Sequence, residues 1–106
     1  MTSKDKEIVA DYMGYLTHPM GSWYDAPVYF AAGTAGNINF DLNDAGLVVQ
    51  EMQKRGELFY FYDHLLDTYN DLCEDGKASC GAENFTAWLF NADNFFKAFC
   101  EWRKTK

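Results

Sequence analysis

Basic side chains are scarce in this chain. Nine Lys and Arg stand against sixteen Asp and Glu among 106 residues, for a net charge of -7. Holding nucleic acid by neutralising its phosphates needs a basic face, so direct nucleic-acid binding is not expected. Cysteine is sparse too: Cys73, Cys80 and Cys100 make an odd count with no Cys-x-x-Cys pair. Secreted disulfide scaffolds are denser and even-numbered, so these read as reduced thiols in a cytoplasm. Structural zinc needs four ligands, and His64 is the only histidine near Cys73 and Cys80 in sequence, so no metal is expected.

Long apolar runs are missing as well. The longest are residues 26–32, interrupted by Pro27, and Leu58–Tyr62. Both fall far short of the roughly 18 residues a spanning helix needs, and no signal-peptide core follows Met1. The expectation is a soluble, cytoplasmic protein without a membrane partner. No Gly-x-Ser-x-Gly, phosphate loop or dinucleotide fingerprint occurs, so neither an enzyme nor a cofactor is expected. His64, one turn from Asp67, reads as half of a surface pair rather than a general base.

What is present is core material: 48% of residues are apolar and 18% aromatic. A chain of this length forms one domain, residues 1–106, and buries roughly 60–70% of its unfolded surface. Thr2 or Ser3 can cap a first helix with Asp5 and Glu7 in its first turn, and Gly14 supplies the stop. Six glycines and prolines then break residues 14–40, where 27–30 and 37–40 read as two short strands of a hairpin turning at 33–36. Asp41 caps a second helix, with Asp44 in its first turn and Gly56 at its end.

The most regular segment follows. At 100 degrees per residue, Leu58, Phe61, Tyr62, Leu65, Leu66, Tyr69, Leu72 and Cys73 share an arc of about 140 degrees. Residues 62–74 are therefore predicted helical, while 58–62 read equally as helix start or short strand. Residues 83–104 repeat the pattern, with an interruption at Asn91, Asp93 and Asn94 that would make two shorter helices. The fold class expected is a mainly helical α+β domain of about four helices with a small β-hairpin, or else all-α.

One constellation stands out. Asp63, Asp67, Asp71 and Glu74 project within about 80 degrees of one another, opposite the apolar arc, and Tyr60 extends that surface. From Gly56 to Gly76 there are six acids and no base. Like charges at i,i+4 spacing cost a helix a few tenths of a kcal/mol per pair, so the stripe is mildly unfavourable for folding. It reads either as a solvated face or as a contact surface for a basic partner. Carboxylates four residues apart stand about 6 Å apart along the helix. Duplex DNA carries one charge per about 1.7 Å, so mimicry of DNA would need further acids such as Asp25, Asp41, Asp44 and Glu51. Trp23 and Tyr24 in the irregular segment are candidate interface anchors. The many rings between Phe85 and Trp102 make a homodimer interface credible.

Ile8-Val9-Ala10-Asp11-Tyr12-Met13-Gly14-Tyr15 resembles the opening of a family of small phage-encoded α/β-sandwich proteins. The likeness continues in residues 47–56 and 95–102, about a third of the chain in all. The stretch 41–46 lacks the tryptophan that the family's second helix often carries, and residues 62–74 read as helix where the family has later strands. The resemblance implies a phage or prophage origin, and no site residues, because family members are largely uncharacterised. The function expected is an accessory protein that binds and inhibits a basic host protein, of a defence or nucleic-acid-handling complex, in the anti-CRISPR manner. Asp63, Asp67, Asp71, Glu74 and Tyr60 would form the contact, with Trp23 and Tyr24 as anchors. The alternative is a small-ligand-binding protein with an aromatic pocket lined by Trp23, Tyr29 and Tyr62 between hairpin and helices.

Overall fold

The computed structural model describes residues 1–18, 27–31, 33 and 36–105. Among them run five helices and two short strands, in the order α1 (Ser3–Met13), β1 (Leu16–His18), β2 (Val28–Phe30), α2 (Leu42–Lys54), α3 (Leu58–Glu74), α4 (Ala82–Leu89) and α5 (Ala92–Lys104). The mainly helical α+β class expected from the sequence is the one that forms. There are five helices rather than about four, because the last apolar segment breaks at Phe90–Asn91. Asn91 caps α5 by accepting from the Asn94 backbone N–H at 3.1 Å, and the Asn94 amide donates to the Trp88 carbonyl at 2.9 Å. Those side-chain bonds replace the ladder that a continuous helix would have carried.

Local chemistry fixes the other helix ends. Thr2 and Asp5 form a reciprocal capping box on α1, and Asp41 and Asp44 do the same on α2. Gly14 ends α1 in the left-handed region at φ 73°, where a Cβ would be strained. Gly56, at φ 70°, turns the chain from α2 straight into α3, whose first residue is Leu58. Residues 58–62 are thus helix, not strand. Period explains it: Phe61 and Leu65 point into the core while Phe59, Tyr60 and Tyr62 stay exposed, a spacing no two-residue alternation produces.

The hairpin differs from the expectation in its pairing. β2 runs antiparallel to β1, with Leu16 opposite Phe30, Thr17 opposite Tyr29 and His18 opposite Val28. Residues 37–40 were expected to be the partner strand, yet they meet β2 only through one bridge, Phe30 to Asn37, and a bond from the Ile38 N–H to the Tyr29 carbonyl at 2.7 Å. Phe40 explains the shortfall. It stands at φ 56°, in the left-handed region, so the extended chain ends there and turns into the cap of α2. Its ring is buried edge-on against Tyr29 and Phe96, each 5.7 Å away between centroids.

α5 is the centre of the domain and packs against α1, α2, α3 and α4. Phe95, Phe96, Ala98, Phe99, Cys100 and Trp102 are all buried on it. Phe61 from α3 meets Phe95, Phe99 and Trp102 at centroid distances of 5.5, 6.0 and 5.4 Å. The two edge-on pairs, with Phe95 and Phe99, add about 0.5–1.5 kcal/mol each beyond the area they bury. Among the described residues no helix is long and apolar enough to cross a membrane.

Candidate functional site

The exposed rings of α3 stand beside a groove. α2 contributes Leu42, Ala45, Gly46 and Val49 to it. α3 contributes Leu58, Phe59, Phe61, Tyr62 and Leu65, and Leu89, Phe90 and Phe95 close the far side. Its volume is about 640 Å³, and no lining residue is charged. Phe59 and Phe90 are each 69% exposed on its walls. Large exposed apolar patches on small proteins mark interaction or ligand sites more often than scattered single rings do. Gly46 leaves space in the α2 wall, where a Cβ would meet nothing within 4 Å.

The acidic stripe lies directly beyond the groove's edge. On the α3 wheel, Asp63 follows Phe59 by four residues and sits about 40 degrees further round, with Glu74, Asp67 and Asp71 after it. All four acids are exposed, as is Tyr60. The structure therefore brings together the five α3 residues predicted from sequence, as one ridge. Trp23 and Tyr24, the other two expected anchors, lie outside the described residues.

On the ridge's opposite flank is a polar cleft of about 560 Å³ between α3, the 75–81 loop and α5. His64, Thr68, Asp71 and Asp75 face Lys77, Lys97 and Glu101 there, with Trp88 and Asn94 at one end. The His64 Nε2 is enclosed and has no hydrogen-bond partner. His64 thus belongs to this cleft rather than to a pair with Asp67. Among the described residues no three His, Cys, Asp or Glu side chains converge as a metal site would require.

The loop after α3 folds back on its last turn. The Lys77 and Ala78 N–H groups donate to the Leu72 carbonyl at 2.9 and 3.2 Å, and the Tyr69 hydroxyl donates to the Ser79 carbonyl at 2.6 Å. This brings Cys80 to Cys73. Their hydrogen bond, helped by burial, pushes the Cys73 thiol up to about 11. Burial pushes Cys100 up to about 12. Both stay protonated at neutral pH, where only a thiolate would act as nucleophile.

Both arginines and two of the lysines are engaged away from the groove. Arg55 lies over the Tyr12 ring at 3.9 Å and donates to the Tyr12 carbonyl at 2.6 Å, while Arg103 lies 4.9 Å from the same ring. Lys104 pairs with Asp5 at 3.4 Å, and Lys6 sits over the Phe40 ring. Neither Lys nor Arg lines the groove or adjoins a lining residue in sequence.

Of the three residues expected to line an aromatic pocket between hairpin and helices, Trp23 lies outside the described residues. Tyr29 is 3% exposed within the core, and Tyr62 faces the groove between α2 and α3 instead. The groove residues Phe59, Phe90, Leu42 and Gly46 were missed. A signal existed for Phe59, since reading the helix from Leu58 leaves it outside the 140-degree apolar arc. Comparison with known protein families, with curated proteins and with solved structures finds no match.

Proposed function

We propose that this protein is a binder rather than a catalyst, and that it engages a basic protein partner through α3. One observation carries the reading: Tyr60, Asp63, Asp67, Asp71 and Glu74 form a continuous exposed ridge beside an apolar groove. Interfaces draw their energy from desolvated aromatic anchors and their steering from charge at the rim, and both are adjacent here. The finer form of the proposal is a phage or prophage accessory protein, acting in the host cytoplasm, that inhibits a defence or nucleic-acid-handling protein. The resemblance of residues 8–15, 47–56 and 95–102 to small phage proteins supports it, together with the acid-rich composition. The ridge alone is sparser than duplex DNA, which favours occupation of a basic protein surface over full mimicry.

The test is capture of nucleic-acid-handling and defence proteins from bacterial lysate at low and high salt, with a variant carrying Asp67→Lys and Asp71→Lys alongside. Partners held at low salt and lost from the variant are expected. If the same proteins bound the charge-reversed variant equally, the proposal would fall. A second reading has its own support: the groove volume lies within the roughly 300–1,000 Å³ of small-molecule sites. Stabilisation by apolar small molecules, and none by basic proteins, would favour that reading.

A further inference from the structure

We infer that the groove between α2, α3 and the Leu89–Phe90 corner takes an amphipathic helix with Lys or Arg along one edge. The inference rests on the reading above and names the partner's shape. Two helices joined by the tight turn at Gly56 leave an open apolar channel, the arrangement in which a helix seats its apolar face by i, i+3, i+4 and i+7 anchors. Phe59 on α3 and Phe90 at the α4–α5 corner are the exposed lining rings that such anchors would pack against.

Charge selects among occupants. Asp41, Asp44, Glu57 and Asp63 adjoin the lining residues in sequence, and no Lys or Arg does. Asp41 and Asp44 are occupied in the α2 cap, and Glu57 is held by Tyr12 and Arg103. Asp63 and the ridge behind it remain along the α3 edge, so the complementary charges belong on one edge of the incoming helix. A second copy of this chain would bring net charges of -7 together across the same face. An anionic membrane surface would likewise be repelled, since interfacial binding faces are rich in Lys and Arg. A basic amphipathic helix meets both the apolar channel and the acidic edge.

The probe is a fluorescein-labelled synthetic Leu/Lys peptide of about 18 residues with its Leu on one helical face. The first control has the same composition with Leu spread around the helix, and the second keeps the Leu face but carries Glu for Lys. Anisotropy should show the first peptide binding at least tenfold tighter than either control. Gly46→Leu introduces a side chain into the groove where Cβ space is open, and it favours the helix. It should weaken binding at least tenfold with no loss of thermal stability. Asp63→Asn with Asp67→Asn should weaken it mainly at low salt. Equal binding of the spread-Leu peptide, or unchanged binding by Gly46→Leu, would overturn the groove assignment. If only the Asp substitutions mattered, the ridge would stand as the contact and the groove inference would fall. If only Gly46→Leu mattered, the groove would remain a helix site and the acidic-surface proposal would fall. A concentration-dependent dimer abolished by Gly46→Leu would give the groove to a second copy and end the inference.

Discussion

The Tyr12 hydroxyl donates to Glu57 Oε1 at 2.9 Å, joining α1 to the turn that opens α3. Arg103 reaches the other Glu57 oxygen at 3.5 Å, and both arginines of the chain lie over the Tyr12 ring. Burial, then the bond to Glu57, pushes the phenol up to about 12. Tyr12→Phe should lower stability by about 1 kcal/mol at neutral pH, read from the urea midpoint. The pH dependence has a definite sign. The unfolded phenol ionises near its ordinary value of 10.0 and the native one near 12, so stability is lost as pH rises through that window. Tyr12→Phe should make the loss shallower, but some should persist because burial raises Tyr15 and Tyr29 as well.

Phe59 and Phe61 are two residues apart on one helix, 69% and 1% exposed. Phe61→Ala should cost about 3–5 kcal/mol, enough to leave a domain of this size largely unfolded on heating. Phe59→Ser should stay within about 0.5 kcal/mol of the parent. Equal effects in thermal melts would mean that α3 is rotated from the orientation described.

Asp5 faces opposing influences. Its burial works to raise the carboxyl, but the Thr2 backbone and hydroxyl together with Lys104 outweigh that and hold it below the usual value. A carboxyl lowered in the native state contributes stability above its unfolded value, and that contribution disappears as pH falls through the native one. Asp5→Asn should therefore destabilise by up to about 1 kcal/mol near neutrality and much less in acid, measured as Tm against pH.

The three thiols should react in a fixed order. Cys80 is exposed, Cys73 is half-buried and tied to Cys80, and Cys100 is buried with its thiol pushed up to about 12. Alkylation of the native protein should label Cys80 first and leave Cys100 until denaturant is added. Cys80→Ala removes the bond that raises Cys73 and should speed its labelling. Rapid native labelling of Cys100 would contradict the packing of α5.

Helix ends with a side-chain cap or a glycine stop were readable from sequence because they are set locally, whereas the start of α3, which has no side-chain cap, was not. Thr2, Gly14, Asp41 and Asn91 act on backbone groups within a few residues, and each ends or begins a helix where its chemistry indicated. The ridge was readable for the same reason, since Asp63 through Glu74 share a face by helical period alone. The β1–β2 pairing was not. Three residues such as Leu16–His18 carry no period, and their partner is selected by the burial of Tyr29 and by Phe40 ending the next segment. The groove was hidden too, because it needs α2, α3 and the α4–α5 corner to meet. Phe90, at the break before Asn91, is left exposed there.

The position of α5 has a consequence for synthesis. The helix against which α1, α2, α3 and α4 all pack is the last of the five to leave the ribosome. Until residues 92–104 emerge, the nascent chain carries four amphipathic helices without their common partner, and the rings of Phe61 and Phe40 lack their α5 partners Phe95 and Phe96. Folding therefore cannot proceed element by element from the N-terminus and must wait for this segment, with apolar faces open to chaperones meanwhile. Arrested chains ending near Phe90 should be protease-sensitive, and protection should appear in one step once Lys104 has cleared the exit tunnel.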